Sequence, residues 1–341
     1  MIRKLGVIIL ILISCLSVNA QLKREYVPDS LCQGFQKTTL DMGNDYNGRV
    51  VATLVRKLAP DTTTRKAVLY IHGYNDYFFQ TEMAEEYIKH GYNFYAVDLR
   101  KNGRSILPGQ VRGDVRNLVE YYNEIDEALN IIHREKNTFV VLNGHSMGGL
   151  IAALYAEDRI GKEKFDAVFL NSPFFAWNLS PILRATILPI AASEGATRPE
   201  KTRKASDVSW YGESLHKNFK GEWDYSLTLK PLIAPDITYG WIHAVNDGIK
   251  RVQAGLHIAK PVLVMHSDRS INTKKWNDDL FNADAVLNVE DIHKYARNIS
   301  TNVKIIGITG GMHDLVLSRK PVRDQVYSQL FDYLKQYEPK K

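Results

Sequence analysis

Apolar residues along this chain fall into two alternating patterns: short runs rich in β-branched side chains, and longer stretches in which they recur every three or four positions. The first pattern marks strands buried on both faces and the second marks amphipathic helices. Strands are predicted at Val50–Val55, Ala67–Ile71, Phe94–Val97, Phe139–Leu142, Ala167–Leu170, Pro261–Met265 and Val303–Ile308. Helices are predicted at Gln80–His90, Val115–Arg134, Met147–Glu157, Val289–Ile299 and Val322–Tyr337. Such alternation implies an α/β fold with a mostly parallel central sheet covered by helices. The first segments, Phe35–Leu40 and Arg49–Arg56, read instead as an antiparallel hairpin around the turn-rich stretch Gly43–Gly48.

The rhythm breaks once. Between the strand ending at Asn171 and the one beginning at Pro261 lie 89 residues, far more than a crossover helix needs. They hold Trp177, Trp210, Trp223 and Trp241, four of the five tryptophans. An aromatic-rich insertion over a sheet edge supplies an apolar pocket, so 172–260 is read as a helical cap between two parts of one core, 21–171 and 261–341.

The chemistry concentrates at Gly144-His145-Ser146-Met147-Gly148-Gly149, between a buried strand run and a helical pattern. Glycines there permit a sharp strand-to-helix turn that exposes one serine, which makes Ser146 the candidate nucleophile. Serine needs a base and an acid to orient that base. In the chain order serine, acid, histidine, the base follows the last strand, where Gly310-Gly311-Met312-His313 stands. The other nine histidines lack this position.

The acid should follow the strand Pro261–Met265. Asp268 is nearest, but Asp284 leaves 29 residues before His313, room for one helix and one strand, whereas Asp268 leaves 45. Asp284 is preferred, with Asp268, Asp291 and the pair Asp278-Asp279 as alternatives. Backbone amides of Met147 and Tyr74 are the candidate oxyanion donors, the latter from His72-Gly73-Tyr74 after an earlier strand. The loop Asp98–Ser105 is read as support for the site.

Composition changes this picture little. The chain is 341 residues long, 45% hydrophobic and 24% charged, enough for a large core. Residues 1–20 read as a signal peptide: Arg3 and Lys4, an apolar stretch to Leu16, and a small-residue site ending at Ala20. That stretch is too short for a stable membrane span. Leu12-Ile13-Ser14-Cys15 also fits a lipobox, with a lipid anchor at Cys15 and contact with a membrane surface as the second possibility. Cleavage after Ala20 leaves Cys32 alone, so no internal disulfide forms, and reduces the net charge from +6 to +4. No nucleic-acid motif accompanies that charge, and the scattered histidines imply no metal or cofactor.

Together His72-Gly73, the Asp98–Ser105 loop, Gly144–Gly149, Asp284 and His313 resemble the α/β-hydrolase superfamily, in the branch of monoacylglycerol lipases, lysophospholipases and serine aminopeptidase-like proteins. In that branch an aspartate before apolar residues and a helix is the triad acid, as at Asp284-Ala285-Val286-Leu287. The segment His266–Ala283 departs from it, standing where the branch has a short glycine-containing turn. The resemblance implies ester hydrolysis, which with residues 1–20 gives an exported serine hydrolase of carboxylic esters; the aromatic cap suits single-chain substrates such as a monoglyceride or lysophospholipid, with short-chain and xenobiotic esters left open. A serine aminopeptidase would instead need an acidic recess, for which Glu194, Glu213 and Glu222 are candidates. A non-catalytic binding module on the same scaffold is the third reading.

Overall fold

The computed structural model describes residues 25–273 and 275–339. The predicted signal peptide and Cys15 lie outside the described residues. The strands are Val27–Pro28 (β1), Gln36–Asp45 (β2), Gly48–Lys57 (β3), Lys66–Ile71 (β4), Tyr92–Asp98 (β5), Phe139–His145 (β6), Ala167–Asn171 (β7), Thr202–Arg203 (β8), Ile237–Thr238 (β9), Val262–Ser267 (β10) and Val303–Ile308 (β11). Nine of them form one sheet in the order β1-β2-β3-β5-β4-β6-β7-β10-β11. From β5 to β11 neighbours run parallel, while β1, β2 and β3 add antiparallel pairs at one edge.

Alternate residues of β4 divide the interior: Ala67, Leu69 and Ile71 enter one apolar cluster, Val68 and Tyr70 the other. That split is the period of two expected of a sheet with both faces covered. Helices Tyr122–Arg134, Met147–Asp158 and Tyr239–Ala254 close the first face, and helices Thr81–Lys89 and Lys320–Leu334 close the second. Among the described residues no helix is long and apolar enough to cross a membrane.

Three elements differ from the sequence reading. The helix expected from Val115 begins at Tyr122, preceded by a 3-10 turn over Leu118–Tyr121. Asn117 and Glu120 close a reciprocal capping box there, which starts the helical path later than the apolar period suggests. The hairpin strands run on to Asp45 and Gly48, so its loop shrinks to Tyr46-Asn47, and the ladder shifts register between Asp41 and Asn44. The short edge strand β1 has no apolar pattern to reveal it.

Residues 172–260 contain helices Pro181–Ala185, Ile187–Thr197, Trp210–Leu215 and Tyr239–Ala254, with β8 and β9 as a separate antiparallel ribbon. The last of these helices packs on Met147–Asp158, carrying the whole segment to the serine end of β6.

That end is sterically tight. A Cβ at Gly148 would stand 2.2 Å from the Ile71 carbonyl oxygen and 2.4 Å from that of His72, both backbone atoms of the neighbouring parallel strand and its loop. No side-chain rotation relieves such a clash. Gly148→Ala is therefore expected to destabilise the fold by at least about 3 kcal/mol, read as a lower urea midpoint at unchanged slope.

Candidate active site

Ser146 sits at the turn between β6 and the helix Met147–Asp158 with φ 52° and ψ −115°. Positive φ is costly for a residue with a side chain, and here the surroundings hold it. The Ser146 amide donates to the Asn171 carbonyl at 3.0 Å, and its own carbonyl accepts from Leu150 and Phe174. The side chain is thus presented at the helix N-terminus, at the end of the sheet.

His313 follows β11 and reaches the serine. Ser146 Oγ donates to His313 Nε2 at 3.0 Å, and His313 Nδ1 donates to Asp284 Oδ2 at 2.8 Å. All three side chains are buried, Asp284 completely. The other Asp284 oxygen accepts from the Val286 and Leu287 amides, each at 2.8 Å, which fixes the carboxylate plane. The alternative acids lie elsewhere: Asp268 is exposed, Asp279 pairs with Arg269, Asp291 pairs with Arg184, and Asp278 opens a 3-10 turn capped by Asn277.

The departure at His266–Ala283 has a simple geometry. Arg269 and Ile271 bracket Asp284 through backbone hydrogen bonds, the Asp284 amide to the Arg269 carbonyl at 3.0 Å and the Ile271 amide to the Asp284 carbonyl at 2.8 Å. The intervening residues leave and return to the same place, so Asp284 stands close to the end of β10 despite the added chain. Ser270 Oγ completes the closure between the Leu287 carbonyl and the Val289 amide.

Tyr74 lines the cavity beside Ser146, and Met147 begins the helix that follows it. Among the described residues neither amide donates to a protein acceptor, which leaves both free for a ligand oxygen. His72 braces the first of them: the Leu99 amide donates to its Nε2 at 3.0 Å, leaving Nδ1 to donate to the Gly73 carbonyl at 2.7 Å. That contact ties the Asp98–Ser105 loop to the site, without placing its side chains on the cavity wall. Trp241 links the two candidate donors, its ring 4.8 Å from that of Tyr74 and its Nε1 3.2 Å from Met147 Sδ.

The serine opens into a cavity of about 660 Å³. Its floor is aromatic, with Trp177 between Phe174 and Trp241 at ring separations of 5.2 and 5.7 Å. Aliphatic residues of 179–191 and 285–287 continue the wall, and Ile271, Asn272 and Thr273 of the added segment reach it too. Its charged residues are Arg203, Lys204 and Lys230, and among the described residues no carboxylate lines it. Arg203 pairs across the ribbon with Ile237, so both side chains share the face that meets the cavity. The three glutamates considered for an amine recess are engaged elsewhere: Glu194 with Lys201, Glu213 with the Ser209 hydroxyl, Glu222 with Arg323.

Sequence reasoning missed the polar layer behind the serine. Asp76, from the turn after β4, meets Lys230 of the cap at 3.1 Å, and Gln80 Nε2 lies 3.4 Å from Asp76 and 3.3 Å from Asp314. His145 stands against both carboxylates. Asp76 and Gln80 stand four positions apart after β4, but His145 at the end of β6, Lys230 of the cap and Asp314 after β11 come from distant parts of the chain, so no local signal joins the layer.

A strand–serine–helix turn on a sheet of this order defines an α/β-hydrolase. A family model described as serine aminopeptidase, S33 (Hydrolase_4) matches residues 62–319, and the chain belongs to that family. Among solved structures it is similar in fold to a monoglyceride lipase from Saccharomyces cerevisiae, solved with a substrate analogue. There the TM-score is 0.64 and the identity 18%, over 88% of this chain and 97% of that one. A monoacylglycerol lipase from Paleococcus ferrophilus gives a TM-score of 0.62 at 18% identity, over 89% and 99%. Est1E from Butyrivibrio proteoclasticus gives 0.53 at 15%, over 87% and 98%. No curated protein sequence matches the chain.

Proposed function

We propose that this chain is an exported serine hydrolase that cleaves carboxylic esters of a single acyl chain through an acyl-enzyme. The observation that carries this reading is the continuous hydrogen-bonded line from Ser146 through His313 to Asp284, opening into an apolar cavity. In the reaction His313 takes the Ser146 proton as Oγ attacks the acyl carbon, then gives it to the departing alkoxide. Asp284 holds the imidazole in the tautomer that presents Nε2 to the serine and stabilises the imidazolium formed. The Tyr74 and Met147 amides meet the developing oxyanion. Water, activated by the same histidine, then releases the carboxylic acid and restores Ser146.

The wall of the cavity favours an ester over a peptide with a free amine. A protonated amine requires a nearby carboxylate, and the described wall offers three cations and none. Aromatic and aliphatic lining suits an acyl chain, and the fold relatives named as monoglyceride lipases favour monoacylglycerol as a substrate class. Arg203 gives a phosphate-bearing lysophospholipid a partner at the same wall. Ile182, Ile187 and Ile190 are exposed by 74, 50 and 66% on short helices beside it, which supports contact with a lipid surface. Export rests on residues 1–20, with cleavage after Ala20.

Hydrolysis of p-nitrophenyl esters of graded acyl length, beside aminoacyl arylamides, tests this reading. Ester turnover that rises with chain length, with no arylamide turnover, is the expected result. Arylamide turnover alone would replace it with the peptidase reading, and turnover of neither with the binding-module reading.

A further inference from the structure

The turn after β4 that carries the Tyr74 amide is tied to the cap residue by residue. Tyr74 Oη donates to the Pro235 carbonyl at 3.0 Å, and Asn75 Nδ2 donates to the Pro231 carbonyl at 2.9 Å. Asp76 Oδ1 meets Lys230 Nζ at 3.1 Å as an ion pair, and the same ammonium reaches the Asn75 carbonyl at 3.4 Å. Tyr77 Oη accepts from the Ser226 amide at 2.8 Å. Positions 74, 75, 76 and 77 thus meet 235, 231, 230 and 226, one run ascending and the other descending.

The cap side of this ladder is stiff although it forms neither helix nor strand over 231–236. Each proline fixes its own φ and holds the residue before it extended, so the stretch has little conformational freedom to lose. Arg112 donates to the Thr228 and Leu229 carbonyls at 3.0 and 2.7 Å. Leu232 rests on the helix Trp210–Leu215, where a Cβ at Gly212 would stand 2.7 Å from its Cα.

The Gly73 carbonyl and the Tyr74 N–H belong to one peptide plane. His72 holds the oxygen of that plane at 2.7 Å. A plane held at one atom can still swing, and Gly73, lacking a Cβ, opposes the swing little. The contacts of Tyr74 and Asn75 supply a second anchor at the Tyr74 end, where Asn75 turns the chain with φ 50°. We propose that segment 226–235 of the cap is a clamp that aims the Tyr74 amide at the oxyanion, with the Tyr74 hydroxyl and the Asn75 carboxamide as its positioning groups. The clamp itself follows from these contacts, whereas its effect on rate rests on the serine-hydrolase reading.

Two substitutions loosen it with little strain. Tyr74→Phe removes one contact and keeps both the backbone amide and the ring against Trp241. Asn75→Gly removes another and accepts the positive φ freely. Thermolysin, which cuts before large aliphatic residues, reads the clamp without any substrate, because Ile233 stands exposed between the two prolines. Cleavage there is expected to be about tenfold faster in the double variant, and faster in Tyr74→Phe alone, at a nearly unchanged urea midpoint. Unchanged cleavage would overturn the clamp whether or not esters are turned over.

The effect on rate is read on a p-nitrophenyl ester. Tyr74→Phe should lower kcat by about tenfold and the double variant by about a hundredfold, with KM within about twofold of the parent. The inhibition constant of a trifluoromethyl ketone, whose serine adduct carries the same oxyanion, should rise in step with the loss of kcat/KM. Tyr74 and Asn75 also line the cavity, so a raised KM at unchanged kcat would make them substrate contacts and overturn the positioning role. A parent that turns over no ester removes the proposed function and the rate effect together, and the cleavage result still decides the clamp.

Discussion

Replacing Ser146 with alanine is expected to lower kcat for a p-nitrophenyl ester by about a million-fold, the scale of loss when the nucleophile of a serine hydrolase is removed. Alanine keeps the Cβ atom, so it meets the same backbone demand at φ 52° and leaves the amides of Tyr74 and Met147 in place. On the proposed reading, what disappears is the oxygen that His313 activates, and with it the acyl-enzyme route. The remaining rate is what binding and the two amides give to direct attack by water, about a thousandfold above the uncatalysed reaction. The urea midpoint should stay within about 1 kcal/mol of the parent, which separates lost chemistry from lost structure. Retention of more than about a hundredth of the parent rate would place the nucleophile elsewhere.

The features behind this expectation were legible to different degrees. The elbow was readable because one short segment carries all of it: a fully buried strand, glycines where a Cβ meets backbone, and a helix that starts at once. His313 was readable from its position after the last strand. The start of the helix Tyr122–Arg134 was not read from apolar period, although Asn117-Leu118-Val119-Glu120 spells the cap that delays it. Lys230 was invisible as a site residue, and Trp241 was read only as one of the cap aromatics, because the folding of the cap over the sheet decides their positions. Trp241 meets Met147 across 94 positions of sequence, and no pattern in a single chain reports such a crossing. The meeting of His145 with Asp76 and Asp314 has the same cause, since the end of β6 and the segments after β4 and β11 converge behind one serine.

Asp284→Asn is expected to lower kcat by about ten-thousandfold while Asp268→Asn leaves it within about twofold, a contrast that assigns the acid. The physical reason lies in Nδ1 of His313. An ionised carboxylate at 2.8 Å accepts the Nδ1 proton, which leaves Nε2 free to receive the one on Ser146. An asparagine amide can turn its NH₂ toward Nδ1 and so favour the opposite tautomer, with the proton on Nε2 facing the serine hydroxyl. The base is then present but presents the wrong nitrogen, and the imidazolium formed on attack loses its counter-charge in a buried site. Substrate binding owes little to Asp284, so KM should stay near the parent value and the loss should fall on kcat. The backbone of the site should survive too, because the asparagine carbonyl oxygen can still accept from the Val286 and Leu287 amides that the carboxylate now serves. Asp268, exposed at the end of β10, makes no contact with His313, and removing its charge changes the field at the imidazole only through solvent. The paired measurement also probes the added segment. If the chain from Arg269 to Asp284 did not close back on itself in solution, Asp284 would be carried away from His313, and Asp268, left at the strand end, would be the residue whose loss is felt.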